Sequence, residues 1–265
     1  MHDYRIKIGG ATHPGLMHNL NEDAYDWVVL DSPMVDKGQE DLDCMAVVAD
    51  GMGGMPAGEI ASRMTVDGIK QQIQGYFNNP DSSLLLSGNT SVEDWLKQAL
   101  LNMNNEVIEA GNRDHDRSGM GTTCTATIVS SGETLYVAHL GDSRAYVYKG
   151  KELVQLTRDH TWVQERVDTG NLTADEARNH ARRNVVTRGI GIIRDPEVDT
   201  YKVNLSIGDK ILLCTDGLND VLQDKEIGSY LSAHEVPGRI CESLVLEAVK
   251  AGGSDDITAL VIEIM

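Results

Sequence analysis

Four apolar segments of this 265-residue chain each carry an aspartate at one end. Met45-Ala46-Val47-Val48-Ala49 runs into Asp50-Gly51, Ile211-Leu212-Leu213-Cys214-Thr215 into Asp216-Gly217, and Leu135-Tyr136-Val137-Ala138-His139-Leu140 into Gly141-Asp142, while Asp255-Asp256 stands directly before an apolar run over 257–264. A single Asp-Gly step is by itself a common solvated turn, because Asp bonds its own backbone and Gly accepts dihedral angles that other residues avoid. Four strand-end acids shift the balance toward one shared site. Carboxylates gathered in one place repel unless cations hold them, and an oxygen-only donor set suits Mg²⁺ or Mn²⁺.

The elements that must deliver these acids can be read from hydrophobic periodicity. Residues 4–8 alternate as a half-buried strand, His13-Pro14-Gly15 is a turn, and Asn21-Glu22-Asp23 leads into a strand over 24–30. After a polar loop through 37–41 comes the strand ending at Asp50; Pro56 then stands where a helix can begin. Ile60, Met64, Ile69, Ile73 and Phe77 share one helical face, and 78–90 is a loop. Ser91-Val92-Glu93-Asp94 resembles a capping box with Asp in place of Glu or Gln, and it opens a helix whose Leu96, Leu100, Met103 and Val107 share a face. From Gly121 the period changes to two. Short strands over 122–129, 134–140, 144–148 and 153–156, joined by Gly-containing turns, form an antiparallel meander. The polar segment 159–191 shows short helical signals over 162–168 and 173–179 and holds Arg178, Arg182, Arg183 and Arg188. An anionic ligand could land there; a solvated helix face is the equal alternative. Strands over 198–203 and 210–215, a helix over 237–251 and the run 257–264 close the chain. Without βαβ alternation, the order calls for antiparallel sheets packed on each other with helices outside.

Composition bounds the function. The formal net charge is −18, from 41 acidic against 23 basic residues, which disfavours nucleic-acid binding because phosphate contacts need clustered Lys and Arg. Cys44, Cys124, Cys214 and Cys241 lie far apart with no C-x-x-C pair and read as buried free thiols of a reducing compartment. No apolar run approaches the roughly 20 residues of a membrane helix, so a cytoplasmic chain without a membrane partner is expected. The absence of a Pro- or Ser-rich linker favours one domain over 1–265.

Six motifs in order, Asn21-Glu22-Asp23, Asp50-Gly51-Met52-Gly53-Gly54, Gly119-Met120-Gly121-Thr122-Thr123, Gly141-Asp142-Ser143-Arg144, Thr215-Asp216-Gly217-Leu218 and Asp255-Asp256-Ile257-Thr258, resemble the metal-dependent Ser/Thr protein phosphatases of the type 2C (PPM) family. Met52, and Leu156-Thr157-Arg158-Asp159-His160 ahead of a helical flap, are typical of its bacterial members. The resemblance implies an α+β fold, a four-layer α-β-β-α sandwich of two antiparallel sheets flanked by helices, with a flap subdomain at about 159–191. It implies hydrolysis of phosphoserine and phosphothreonine by direct attack of a water bridging two Mg²⁺ or Mn²⁺ ions, with no phosphoenzyme. None of the cysteines lies in a Gly-rich phosphate loop, which argues against a Cys-nucleophile phosphatase.

Residue by residue, the resemblance implies that Asp50 bridges the two ions, that the Gly51 carbonyl ligates one, and that Asp216 and Asp255 complete the protein ligands of the other. Glu22 and Asp23 would act through metal-bound waters, and Asp142, with Asp216, would hold a more weakly bound third ion. Two positions depart from the pattern. Met52 stands where some members carry a His proton donor. His18 stands where the family anchors phosphate with Arg, and a histidine neither keeps full charge at neutral pH nor forms a bidentate fork. A weakened or pH-dependent anchor, or rescue by Arg182 or Arg183, is the expectation. The implied partners are phosphorylated proteins and a cognate kinase, with the chain a monomer. A phosphoprotein-binding module that has lost turnover and a small-molecule phosphohydrolase are the alternatives.

Overall fold

The computed structural model describes residues 6–17, 20–30, 42–53, 57–78, 91–131 and 133–265. In chain order the elements are β1 (Ile6–His13), β2 (Asp23–Val29), β3 (Leu42–Met52), α1 (Ala57–Asn78), α2 (Val92–Arg113), β4 (Gly121–Thr122), β5 (Cys124–Ser130), β6 (Thr134–Leu140), β7 (Arg144–Lys149), β8 (Glu152–Gln155), α3 (Trp162–Asp168), α4 (Ala174–Arg178), β9 (Asp199–Asn204), β10 (Lys210–Cys214), α5 (Asp216–Asn219), α6 (Asp224–Leu231), α7 (Pro237–Lys250) and β11 (Ile257–Ile264).

The strands make two antiparallel sheets, one in the order β1-β11-β10-β7-β8 and the other β2-β3-β5-β6-β9, with β4 paired to β3. Three apolar layers hold the four structural layers together. Met45, Val47, Ile128 and Tyr136 meet α1 and α2 through Ile69, Ile73, Leu96, Leu100 and Met103. Cys44, Val48, Val137, Leu213 and Leu260 fill the space between the sheets. Leu212, Ala259 and Val261 face Leu218, Ile227, Leu231, Ile240 and Leu244 of α5, α6 and α7. Each fully buried Leu or Ile contributes roughly 1.5–3 kcal/mol, so two 22-residue helices on one sheet carry much of the molecule's stability. The α-β-β-α sandwich is therefore the observed architecture.

Local chemistry explains the element ends. Ser91 caps α2, its hydroxyl accepting from the Asp94 N–H at 3.1 Å and donating to the Asp94 carboxylate at 2.8 Å. Thr161 caps α3, and Thr173 with Glu176 forms a complete capping box on α4. Helix α6 carries no signal in the reading above. Eight residues are too short for a clear period, and Ile227 and Leu231 are its two buried positions. Strand β1 reaches His13 rather than stopping near Ile8, because Gly9 and Gly10 break the alternation while still pairing with Val261 and Leu260 of β11.

Antiparallel pairing puts the start of one strand beside the end of the next. Asp23 at the start of β2 is the register partner of Asp50 near the end of β3. Asp216 follows β10, Asp255 precedes β11, and Asp142 follows β6. One edge of the sandwich thus collects the acids.

Candidate metal centre

Asp50 is held by its backbone. Its N–H donates to Thr123 Oγ1 at 2.8 Å, and its carbonyl accepts from the Thr123 N–H at 2.9 Å and Thr122 Oγ1 at 2.7 Å. The Thr122-Thr123 pair is thus a backbone clamp that leaves the Asp50 carboxylate free to face the site. Gly51 allows the close approach behind it. A Cβ there would strike the Gly58 carbonyl at the start of α1 and come within 2.7 Å of the Glu22 carbonyl. That Glu22 carbonyl accepts the Gly51 N–H at 3.2 Å and the Ser62 hydroxyl at 2.5 Å, so β3, α1 and the Glu22 turn are tied at one point.

The second sheet reaches across through threonines. Asp23 Oδ2 accepts hydrogen bonds from Thr215 Oγ1 at 2.8 Å and Thr258 Oγ1 at 2.6 Å, residues beside Asp216 and Asp256. Asp256 Oδ2 accepts the Glu22 N–H at 2.6 Å. Sequence reasoning quoted Thr215, Asp256 and Thr258 inside motifs without assigning them work. Their adjacency to the aspartates was the available signal; the cross-sheet partner was not.

Burial, then the charges of Asp23, Asp216, Asp142 and Asp255, hold the Asp50 carboxyl well above the usual carboxylate range. Burial also raises Asp23 against the opposing hydrogen bonds of Thr258 and Thr215, and raises Asp142 with help from Asp216, Asp159 and Asp220. Burial, followed by Asp220 and Asp255, pushes Asp216 up to about 7, and Asp216 is close enough to Asp50 to share a hydrogen bond with it. Asp23 Oδ1 and Asp216 Oδ1 are buried and take no hydrogen bond. Acids this buried cost several kcal/mol each when ionised without a counter-charge, and two of their oxygens face no donor. A divalent cation supplies both needs.

Among the described residues no three His, Cys, Asp or Glu side chains are grouped closely enough to hold an ion by direct contacts alone. The donor set is all oxygen, and such a set suits a hard ion that keeps several waters, as Mg²⁺ does. Asp50, Asp216, Asp255, Asp142, Glu22, Asp23 and the Gly51 carbonyl are the groups available to it and to its waters.

The flap stands over this edge. Its base is locked by Arg144, which makes a bidentate pair with Asp159 at 2.8 and 2.6 Å. His160 grips Gly141, the residue before Asp142: its N–H donates to the Gly141 carbonyl at 2.7 Å and its Nδ1 accepts the Gly141 N–H at 3.2 Å. The same residue's carbonyl accepts the Thr187 N–H at 2.8 Å, closing the flap's two ends together. His139 is fully buried, with Nδ1 2.9 Å from Thr125 Oγ1 and its ring 4.7 Å from that of His160. Both histidines are built into the packing.

A cleft of about 360 Å³ lies between flap and sandwich, with Asp142 and Asp216 at one side and Arg178 and Arg183 at the other. Arg183 Nε is 3.4 Å from Asp220 Oδ2, four residues past Asp216. Arg182 points elsewhere, with its guanidinium 5.1 Å from the centre of the Trp162 ring. The two adjacent arginines thus diverge, Arg183 toward the acids and Arg182 onto the flap. His18 lies outside the described residues, as do Gly54, Pro56 and most of the 78–90 loop.

Comparison with known proteins gives one consistent result. The family model described as Protein phosphatase 2C matches residues 18–243. The chain is 33% identical over 219 residues to the serine/threonine phosphatase stp of Listeria monocytogenes, covering 83% of this chain and 84% of that one. It superimposes on the serine/threonine phosphatase of S. agalactiae with a TM-score of 0.83 at 29% identity, over 98% of this chain and 99% of the other. It also matches the catalytic domain of the serine/threonine protein phosphatase PstP in complex with two manganese ions, with a TM-score of 0.78 at 28% identity over 99% of each chain.

Proposed function

Because the chain belongs to the protein phosphatase 2C family, we infer that it is a metal-dependent serine/threonine protein phosphatase, and that the acids at the sandwich edge are its metal ligands. The observation that carries the site assignment is the set of four carboxylates, Asp23 and Asp142 buried and Asp50 and Asp216 half-buried, each raised in pKa by desolvation and by its acidic neighbours. Divalent ions bound there supply positive charge for the phosphoryl oxygens and an activated water for in-line attack on phosphorus.

The chain's own residues do the positioning. Asp50, with the Gly51 carbonyl, Asp216 and Asp255 would hold the ions directly. Asp23, oriented by Thr215 and Thr258, and Glu22 act on the waters. Asp142, which Asp216 and Asp220 influence, is the position for a third ion. Arg183, which lines the cleft together with Arg178, Asp142 and Asp216, is a candidate to meet a substrate phosphate. His18, at the family's arginine position, is the other candidate anchor.

Such an enzyme reverses the product of a protein serine/threonine kinase, so a cognate kinase is the partner to seek. No described helix is long and apolar enough to cross a membrane. The four cysteines are buried free thiols, which supports a reducing, cytoplasmic setting. Exposed large apolar side chains such as Val29, Ile207 and Val236 are scattered through the chain, which supports a monomer. The fold is one phosphatase domain with the flap as its subdomain.

The deciding experiment is Mn²⁺-dependent hydrolysis of p-nitrophenyl phosphate and of a phosphothreonine peptide by the parent and by Asp216→Asn. Turnover of both by the parent, with a fall of at least about 100-fold in the variant, is expected. Metal-independent turnover, or an unaffected variant, would remove Asp216 from the centre.

A further inference from the structure

The flap, 159–191, carries five of the chain's 23 basic residues, with Arg158 just before it, in a protein of net charge −18. Arginine in this molecule is usually paired: Arg113, Arg117, Arg144, Arg158, Arg183, Arg188 and Arg239 each contact a carboxylate. Arg63, Arg166, Arg178, Arg182 and Arg194 make no ion pair with a carboxylate among the described residues. Two of these five, Arg166 and Arg182, converge on one ring. Arg166 lies 5.0 Å and Arg182 5.1 Å from the centre of Trp162, and the His180 imidazole stacks on the same side chain at 5.0 Å.

Trp162 is half-buried while Arg182 is exposed, so the cluster opens to solvent. A guanidinium lying over an indole keeps its N–H edge available, because the contact uses its face. Two like charges on one ring repel each other, and among the described residues no carboxylate pairs with either of them. His180 Nδ1 accepts the backbone N–H of Arg182 at 3.1 Å, which ties the imidazole to the Arg182 backbone. Arg178 lines the cleft across from Asp142 and Asp216, and Val163 and Val167, the chain neighbours of Trp162 and Arg166 on α3, line the same cleft.

We propose that the Trp162, Arg166, His180 and Arg182 cluster is an anion-recognition site for a second negatively charged side chain of the phosphoprotein substrate, flanking the residue being dephosphorylated. This rests on the phosphatase reading above. The stacked guanidinium edges accept an oxyanion in fork geometry, and the acidic remainder of the surface repels the same group elsewhere. The site selects phosphoproteins whose dephosphorylated residue has an acidic or phosphorylated neighbour. Its contribution is to binding, without contact to the reacting phosphorus.

The test is steady-state hydrolysis of phosphothreonine peptides with neutral flanks, with an Asp pair walked through the flanking positions, and with a phosphonate analogue of phosphoserine walked likewise. Each protein is normalised to its own rate on p-nitrophenyl phosphate, which reports the phosphatase reading separately. For the parent, KM falls about three- to tenfold for the best anionic peptide relative to the neutral one, with kcat unchanged, and the advantage shrinks as salt rises. Arg166→Gln abolishes that ratio and Trp162→Phe, which keeps an aromatic face, retains it. A larger effect of the phosphonate than of Asp identifies a phosphoresidue reader, and the reverse an acidic-residue reader. Equal KM for all peptides in the parent, or a ratio that survives Arg166→Gln, overturns the proposal even when p-nitrophenyl phosphate is turned over normally.

Discussion

At the scale of single residues, the working parts of the centre are acids that would not be stable as a group of free anions. Asp23, Asp50, Asp142 and Asp216 are each raised by burial first, with their acidic neighbours adding to the rise, so the site stores an unmet demand for positive charge. What distinguishes Asp23 is the pair of hydroxyls on one of its oxygens, which leaves the other to face the site. Replacing Thr258 by Val keeps the shape and removes the 2.6 Å donor. Loss of such an orienting partner weakens metal binding about 10- to 100-fold, to be measured by calorimetric titration of Mn²⁺ into parent and variant, and an unchanged affinity would show that Asp23 needs no orientation. Asp50, Asp216, Asp255 and Asp142 were legible in the chain as strand-end acids. Thr258 was not assigned a role, because its partner Asp23 is 235 residues away and on the other sheet.

At the scale of elements, the close approach of β3, the Glu22 turn and the first turn of α1 decides where Asp50 stands. Gly51 has no room for a Cβ, since both neighbours are backbone carbonyls that cannot swing aside. Gly51→Ala is expected to cost about 1–3 kcal/mol by overpacking, measured as a lower urea midpoint at unchanged m. An unshifted midpoint would mean that the strand and helix can part without loss. The two long amphipathic helices and the strands of the meander could be read from their periods. Helix α6 could not, because a two-turn helix with two buried positions carries too little periodic signal. The divergence of Arg182 and Arg183 was equally hidden: neighbours in a short irregular segment point apart by local backbone geometry, which composition does not record.

At the scale of the whole molecule, two sets of buried groups act on stability in opposite senses. Burial and His160 push His139 down from 6.5 to about 3, so the unfolded chain binds the extra proton between those values. That contribution, on the order of 5 kcal/mol at most, is fully present above pH 6.5 and is lost as pH falls toward 3. Asp216 is raised from 3.8 to about 7, so its share of stability is present below 3.8 and is lost as pH rises through 7. Metal binding offsets that second loss, because the ion and the proton compete for the same oxygens. Melting curves should therefore show a larger Mn²⁺-induced rise in Tm at about pH 8 than at about pH 5, and His139→Gln should flatten the acid limb without changing the metal-dependent one. Equal Mn²⁺ shifts at both pH values would contradict the competition.

The sequence by itself determined the fold class and the chemical nature of the centre. Periodicity is a local property, and six short motifs in order are specific enough to name a family. Only the tertiary structure decided which hydroxyl orients which acid, which arginine faces the cleft and which lies on Trp162, and how His160 ties the flap to the residue before Asp142. Those pairings join residues far apart in the chain or set neighbours on opposite courses, and they follow from strand register and close packing, which act across distances that no local pattern encodes.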